Sequence, residues 1–256
     1  MLIEPMIQQL HQLRLRGMAA ALEQSLYSAS HDALTFEERL GLMIQHEVTD
    51  RDAKRLAQRL RWAKLPQEAT FEDLDTRTSR GLDPKLIGTL GALAWMRDKL
   101  NVLITGPCGV GKSYVASALA HAACRADYSV RSYRMPRLID ELVRQHAQAN
   151  RSAFLRQLAK VDLLYIDDFG LAPLSDQHKR DLLEILDDRY DKKSTLITSQ
   201  LPVDQWHAYI DEPTLADAIL DRLVHNSHRL ALKGGSMRKQ KRVSVSVAEA
   251  PSTLPG

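Results

Sequence analysis

Residues 101–113 have the sequence Asn-Val-Leu-Ile-Thr-Gly-Pro-Cys-Gly-Val-Gly-Lys-Ser, which carries the strongest structural signal in the chain. Its apolar beginning is typical of a buried strand, and helical sequence follows at 114–123. Between them, residues 106–113 fit the spacing G-x-x-x-x-G-K-S/T of a phosphate-binding loop. The alternative is a glycine-rich turn that binds nothing, and the strand and helix on either side argue against it.

The alternation of apolar strand and helix continues on the carboxyl side of this loop. Further strands are predicted at 129–133, 163–167, 195–199 and 228–232, with helical sequence between them. Strands connected by helices predict an α/β fold with right-handed crossovers and a parallel sheet covered by helices on both faces. Because ligands of such sheets bind at the carboxyl ends of the strands, we expect the functional residues at that edge.

The phosphate-binding loop predicts ATP and Mg²⁺ as cofactors. Its glycines let backbone N–H groups converge on phosphate oxygens, Lys112 reaches the outer phosphates, and the Ser113 hydroxyl ligates Mg²⁺. The predicted nucleotide-binding residues are Gly106, Pro107, Cys108, Gly109, Val110, Gly111, Lys112, Ser113 and Tyr114.

Two adjacent carboxylates follow the apolar run of the strand predicted at 163–167. Asp167 is expected to hold Mg²⁺ through water, and Asp168 to orient or deprotonate the attacking water. Many hydrolases of this kind carry Glu in the second place, and Asp168 is one methylene shorter. The alternative is a helix cap or turn after a buried strand.

Two candidates for contacting the γ-phosphate lie later in the chain. Ser199, with Thr198 as second choice, ends a predicted strand, although Ser and Thr are common at strand ends. Arg222 lies on an amphipathic helical stretch, where it is a candidate for an arginine that acts on the nucleotide of a neighbouring subunit. Alternatively, Arg222 pairs with Asp221 or Asp217 on a solvated face.

Composition excludes several classes of protein. The 256 residues are 44% apolar and 26% charged, which suits a water-soluble core, and no apolar run is long enough for a membrane span. The first residues lack the basic start and apolar middle of a signal peptide, so we expect a cytoplasmic protein. Two cysteines cannot form a disulfide framework or a four-thiolate zinc site, and His225 and His228 have no further ligands clustered beside them.

The chain is predicted to have two folded parts. Residues 1–65 predict an all-helical domain, in which Thr35 and Glu38 have the spacing of a capping box. Residues 66–84 have no sustained period and predict a connecting segment, and the ATPase core is expected at 85–236. Residues 237–256 predict a basic, disordered tail.

A net charge of +3 does not by itself indicate nucleic-acid binding, so the distribution of charge is decisive. The candidates for DNA contact are Arg51, Lys54, Arg55 and Arg59 on the first domain, and Arg134 and Arg137 near the second strand. A solvated helix face is the alternative, but few acids lie nearby in the sequence. Arg144, Arg151, Arg156 and Lys160 are interpreted as ordinary surface charge. Because Trp62 is the only aromatic residue within the basic stripe, duplex binding through phosphates fits better than single-strand stacking.

With these features in order, the chain resembles the IstB family of insertion-sequence transposition helpers, relatives of the DnaC helicase loaders within the AAA+ ATPases. Besides the phosphate loop, the resemblance includes Phe71 to Asp75, Tyr165 to Gly170, Thr198 to Pro202 with Trp206, Leu220 to His225, Leu232 to Gly234, and Ser236 to Arg238. It implies a sheet ordered 5-1-4-3-2, a small helical N-terminal domain and no separate lid domain. It also implies that Ser199 is the first sensor and that Arg222 acts in trans, and the paired Asp is usual in that family.

The resemblance further implies a Mg²⁺-dependent ATPase that binds duplex DNA with little sequence preference. Such proteins assemble on DNA as homo-oligomers in the ATP state and present the target site to their transposase. One alternative is a replicative helicase loader, which would prefer single strands. A small-molecule kinase would need an acceptor pocket and a mobile lid, for which no segment is a candidate. The last alternative is an ATP-dependent scaffold that does not hydrolyse.

Overall fold

The computed structural model describes residues 3–27, 34–74 and 81–237, and it divides the chain into two compact units, 1–61 and 62–256. Residues 238–256 of the predicted tail and residues 75–80 of the predicted connecting segment lie outside the described residues. Within the described residues, no helix combines the length and apolar character that crossing a bilayer requires.

The first unit is helical, with α1 at Ile3–Gln12, α2 at Arg16–Leu26 and most of α3, which runs over Phe36–Ala63. The capping box is confirmed at the start of α3, where the Glu38 N–H donates to Thr35 Oγ1 (3.3 Å) and the Thr35 N–H donates to Glu38 Oε2 (2.8 Å). Helices α2 and α3 approach closely at Gly17, whose N–H donates to Glu47 Oε2 at 2.7 Å. A Cβ at Gly17 would lie 2.6 Å from Glu47 Cα, so this contact requires glycine.

The second unit is built on a five-stranded parallel sheet in the order β2-β3-β4-β1-β5. The strands are β1 Asn101–Thr105, β2 Val130–Arg134, β3 Leu163–Phe169, β4 Ser194–Ser199 and β5 Ser227–Ala231. This order is the expected 5-1-4-3-2 described from the opposite edge, so the fold expectation is confirmed. The register pairs Thr105 with Ser199 and Arg134 with Asp167, which brings the carboxyl ends of the strands to one edge.

Helices cover the sheet because its three central strands, β1, β3 and β4, are buried along nearly their whole length. They are α4 Pro84–Gly91, α5 Ala94–Arg97, α6 Lys112–Arg125, α7 Met135–Ala147, α8 Arg151–Lys160, α9 Asp176–Arg189, α10 Trp206–Ile210 and α11 Pro213–Val224. Leu103, Ile166 and Ile197 pack into one core cluster with side chains of α7 to α11. Side chains alternate across a strand, so Val102 and Ile104 belong to the opposite face.

Candidate nucleotide-binding site

The predicted phosphate-binding loop joins β1 to α6, and its glycines adopt backbone angles that other residues rarely tolerate. Gly106 has φ +146° and Gly109 has φ +82°. The helix begins at Lys112, immediately after the loop, so its first N–H groups are available to an anion at the carboxyl edge of the sheet. The predicted strand, loop and helix are therefore joined as a phosphate site requires.

Lys112 lies inside this loop and is 6% exposed. Its Nζ donates to the carbonyl oxygens of Gly106 (2.7 Å) and Pro107 (2.9 Å). Burial lowers the pKa of Lys112, although the nearby carboxylates of Asp168 and Asp167 oppose this change. The ammonium group is thus held within the loop by backbone carbonyls that a phosphate could replace.

Asp167 is the centre of a buried hydrogen-bond cluster. Its Oδ1 accepts from the hydroxyls of Ser113 (2.8 Å), Tyr165 (2.9 Å) and Thr198 (2.5 Å). The structure therefore brings together the two residues predicted to hold Mg²⁺, Ser113 and Asp167. Their oxygen atoms are the ligand type that Mg²⁺ prefers, and phosphate oxygens complete such sites.

Tyr165 was not among the residues predicted to be functional. It is fully buried, and burial together with the adjacent Asp167 charge raises its pKa well above the usual value. A signal was present in the sequence, because residues two apart on a strand share a face. The Tyr165 hydroxyl therefore keeps its proton and donates a hydrogen bond that orients the Asp167 carboxylate.

Asp168 has a left-handed backbone conformation (φ +59°), and the register of β3 against β4 shifts at this point. Its carboxylate does not join the Asp167 cluster and forms an ion pair with Arg134 at the end of β2. Nε of Arg134 lies 3.0 Å and Nη2 lies 2.6 Å from the same Oδ2. A residue predicted to contact DNA is thus bound to the residue predicted to act on the attacking water.

Of the two hydroxyls that end β4, the one that lies beside Asp167 is that of Thr198, the second choice, and not that of Ser199. The Ser199 hydroxyl is buried, donates to the Phe169 carbonyl (2.6 Å) and accepts from the Leu201 N–H (3.1 Å). The Thr198 hydroxyl, the second choice, contacts Asp167 and accepts from the Asp168 N–H (3.1 Å). The bulge near the end of β3 explains why the hydroxyl of Thr198, and not that of Ser199, contacts Asp167 and the N–H of Asp168.

Arg222 lies on α11, and its described partners belong to α9 and α11 rather than to the phosphate loop. Its Nε donates to Asp187 (2.8 Å) and its Nη1 to Asp221 (3.0 Å), and its guanidinium lies 5.7 Å from the centroid of the Tyr190 ring. The hydrogen bond to Asp187 is the main cause of a raised Arg222 pKa. Asp217, the other expected partner, lies beside His207 instead, 3.4 Å away.

The segment that follows β5 lies along the phosphate loop, which sequence reasoning missed. The Leu232 N–H donates to the Thr105 carbonyl (2.7 Å), and the Met237 N–H donates to the Gly109 carbonyl (3.0 Å). A Cβ at Gly109 would lie 2.4 Å from Ser236 Oγ. The glycine therefore serves the packing of this segment as well as the turn.

The predicted DNA contacts on α3 have acidic partners on the same helix. Arg51 pairs with Glu47 (2.6 Å), Lys54 with Asp50 (2.5 Å) and Arg55 with Asp52 (3.5 Å). Burial raises the pKa of Glu47, but hydrogen bonds from Arg51 and from two backbone N–H groups bring it below the usual value. The expectation that acids are scarce along this stripe is therefore wrong.

The two remaining candidates for DNA contact, Arg59 and Arg137, are also not isolated charges. Arg59 interacts with another group of the protein. Arg137 on α7 is largely exposed, and its Nη1 lies 4.0 Å from Asp140.

His225 lies 3.7 Å from Asp221, and no group of three or more potential metal-binding His, Cys, Asp or Glu side chains occurs in the described ranges.

Comparison with known proteins places these features in a family. The sequence model of the IstB-like ATP binding proteins matches residues 8–245. The chain is 47% identical over 242 residues to the insertion sequence ATP-binding protein y4pL of Sinorhizobium fredii, a match covering 94% of this chain and 99% of that relative. It is 48% identical over 203 residues to the IS1162 ATP-binding protein of Pseudomonas fluorescens, covering 79% of this chain and 88% of the relative.

Solved structures of replication proteins share the fold. The DnaI structure is 22% identical with a TM-score of 0.54, covering 65% of this chain and 92% of that chain. The DnaC helicase loader is 19% identical with a TM-score of 0.54, covering 64% and 97%. AMPPCP-bound DnaA from Aquifex aeolicus is 16% identical with a TM-score of 0.56, covering 75% and 58%. At these identities the likeness concerns the AAA+ fold alone.

Proposed function

The chain belongs to the family of IstB-like ATP binding proteins, and from this membership we propose that it is a Mg²⁺-dependent ATPase that assembles on duplex DNA and assists a transposase. The observation that carries the proposal is the hydrogen bond between Ser113 and Asp167, 2.8 Å long, directly after the phosphate loop. Two oxygen atoms of the kind that Mg²⁺ prefers thus lie together beside the loop, which supports binding of the cation next to the outer phosphates of ATP.

Residues of the loop would bind the triphosphate. The Lys112 ammonium exchanges the carbonyls of Gly106 and Pro107 for phosphate oxygens, a stronger charge-assisted contact. Ser113 and Asp167 would hold Mg²⁺, which neutralises charge developing on the phosphates. Tyr165 and Thr198 keep hydrogen bonds to Asp167 and so fix the orientation of its carboxylate.

Hydrolysis requires that Asp168 accept a hydrogen bond or a proton from the attacking water. In the described structure Arg134 occupies one oxygen of this carboxylate, Oδ2, and we expect opening of the pair to favour the action of Asp168. Thr198 is the better candidate for the hydroxyl near the γ-phosphate, since it contacts both Asp167 and Asp168. Ser199 then shapes the turn after β3 through its bonds to Phe169 and Leu201.

We assign Arg222 to the nucleotide of a neighbouring subunit. Its two carboxylate partners, Asp187 and Asp221, are about half exposed, and ion pairs in such positions are weak enough to exchange. A γ-phosphate on the adjacent copy would compete for the guanidinium and would bring the two subunits together. Hydrolysis removes that phosphate and so weakens the assembly.

For DNA, the pairs of Lys54 with Asp50 and of Arg55 with Asp52 are exposed helix pairs that contribute little stability, so Lys54 and Arg55 remain available to phosphates. Arg51 differs, because its partner is the buried carboxylate of Glu47. The family match extends over nearly the whole chain and favours transposition over helicase loading. The resemblance to DnaI and DnaC concerns the fold only.

Measurements of ATP hydrolysis and of particle size on the purified protein test the proposal directly. ATP hydrolysis should depend on Mg²⁺ and increase when long duplex DNA is added, and light scattering should show large particles with ATP and duplex together. Single-stranded DNA of equal length is the control. A monomer that neither hydrolyses ATP nor binds duplex would contradict the proposal, and a preference for single strands would favour the helicase loader.

A further inference from the structure

A second basic surface lies at the amino ends of the sheet strands, away from the phosphate loop. It is an open groove of about 380 Å³ lined by Trp62, Ser129, Arg156, Gln157 and Lys160, among others. Ser129 directly precedes β2, whereas the phosphate loop follows the carboxyl end of β1. Because the strands are parallel, the groove and the nucleotide site lie at opposite edges of the sheet.

Hydrogen bonds from side chains of the edge strand β2 fix the position of Trp62 in this groove. The Ser132 hydroxyl donates to the Ala63 carbonyl (2.9 Å), and Arg131 Nη1 donates to the Trp62 carbonyl (2.6 Å). The Arg131 guanidinium also lies 4.8 Å from the centroid of the indole. One face of the ring is thereby supported by a cation, while 46% of the residue stays exposed.

Two further cations line the groove, Arg156 and Lys160, and neither has an acidic partner among the described residues. Arg156 and Lys160 lie one turn apart on α8, so they share a face of the helix. Neither side chain forms an ion pair or a hydrogen bond within the residues that the structure describes, and no described carboxylate lines the groove. Two other arginines of this region differ, since the exposed Arg144 pairs with Glu141 and the partly buried Arg151 pairs with Asp181.

The neighbouring carboxylate of Asp162 is already engaged. It accepts from Lys193 (2.6 Å) and from the hydroxyl (2.7 Å) and N–H (2.9 Å) of Ser129, and these contacts, opposed by burial, hold its pKa below the usual value. Arg156 and Lys160 therefore face each other's charge without compensation, and an anionic ligand would relieve this repulsion.

We propose that this groove binds the sugar-phosphate backbone of DNA, and the inference rests on the proposed DNA-binding function. Side chains one helical turn apart are separated by about 6 Å, which suits neighbouring phosphates of one strand. Arg156 and Lys160 contact these phosphates, Gln157 donates to a phosphate or sugar oxygen, and Trp62 packs against a sugar or an unstacked base. The two cations supply the phosphate contacts that govern affinity, and the single aromatic ring adds contact area without forming a platform for successive bases.

Tryptophan fluorescence reports on this groove selectively. The chain has three tryptophans, and Trp95 and Trp206 are 1% and 0% exposed, so a soluble quencher such as acrylamide acts mainly on Trp62. The full-length protein is saturated with a nonhydrolysable ATP analogue and titrated with duplex DNA, with a single strand of equal length in a parallel series. We expect bound DNA to reduce the quenching of Trp62 severalfold, and the series with the larger reduction identifies the form of DNA that enters the groove.

Substitutions provide an independent measurement. Binding of labelled duplex DNA is measured across a salt series, and log K is plotted against log salt concentration. In the double variant Arg156→Ala, Lys160→Ala the negative slope of this plot should become shallower by about 1.8, because each lost phosphate contact removes about 0.9. Arg144→Ala, which removes another exposed arginine, one that has an acidic partner, is the matched control and should keep the wild-type slope. Trp62→Ala should weaken binding by about fivefold or more.

The outcomes separate this inference from the function on which it rests. If labelled DNA binds the wild-type protein but Trp62 stays equally accessible and the double variant keeps its slope, the groove does not contact DNA. The broader proposal would then stand, and the contacts would lie elsewhere. If the wild-type protein binds neither duplex nor single strand, both proposals fail.

Discussion

Replacing Arg134 by Ala should raise the rate of ATP hydrolysis in the absence of DNA by about sixfold. In the described structure the guanidinium is bound to Asp168 Oδ2 through both Nε and Nη2, so this oxygen is not available to water, and we expect the pair to restrain the carboxylate. The Arg134 side chain is 57% exposed and that of Asp168 is 18% exposed, which places the pair at the upper end of the range for surface ion pairs, about 1 kcal/mol. With that value, Asp168 is free in about one molecule in six.

The assay is steady-state phosphate release with Mg²⁺-ATP at one protein concentration, without DNA. Arg137→Ala is the matched control, because Arg137 is another exposed arginine of this region, and it lies 4.0 Å from Asp140. The double variant Arg134→Ala, Asp168→Asn should have the low rate of Asp168→Asn alone, since the gain depends on the freed carboxylate. An unchanged or lower rate in Arg134→Ala would show that Arg134 does not restrain Asp168.

Other substitutions address nucleotide binding, assembly and stability. Lys112→Ala should reduce ATP affinity by at least tenfold in calorimetric titration, and normal affinity would exclude Lys112 from phosphate binding. Asp187→Asn should strengthen ATP-dependent association severalfold in sedimentation, because Arg222 loses a competing carboxylate, whereas Arg222→Ala should weaken it; equal association of both variants would contradict the role in trans. Arg189→Met should lower the free energy of unfolding by about 3 kcal/mol in urea, because this buried side chain donates to several backbone carbonyls, including Leu158 and Val161, and an unchanged midpoint would refute that assignment.

The features that could be read from the sequence are those encoded over a few neighbouring residues. The spacing from Gly106 to Ser113 requires only a local backbone conformation, so it predicted the phosphate loop and its place between β1 and α6. The apolar strands with helices between them predicted the parallel sheet for the same reason, and the resemblance supplied the strand order. The capping box at Thr35 is likewise a contact within one turn of helix.

The remaining contacts connect residues that lie far apart in the chain. A register shift in β3, which no pattern of residue types announces, directs Thr198 rather than Ser199 to Asp167 and places Asp168 against Arg134. Trp62 lines the same groove as α8 because the Ser132 hydroxyl of β2 donates to the neighbouring Ala63 carbonyl. A sequence specifies which groups are present and the local conformations they favour, whereas the partner of a carboxylate depends on packing summed over the whole sheet and its helices.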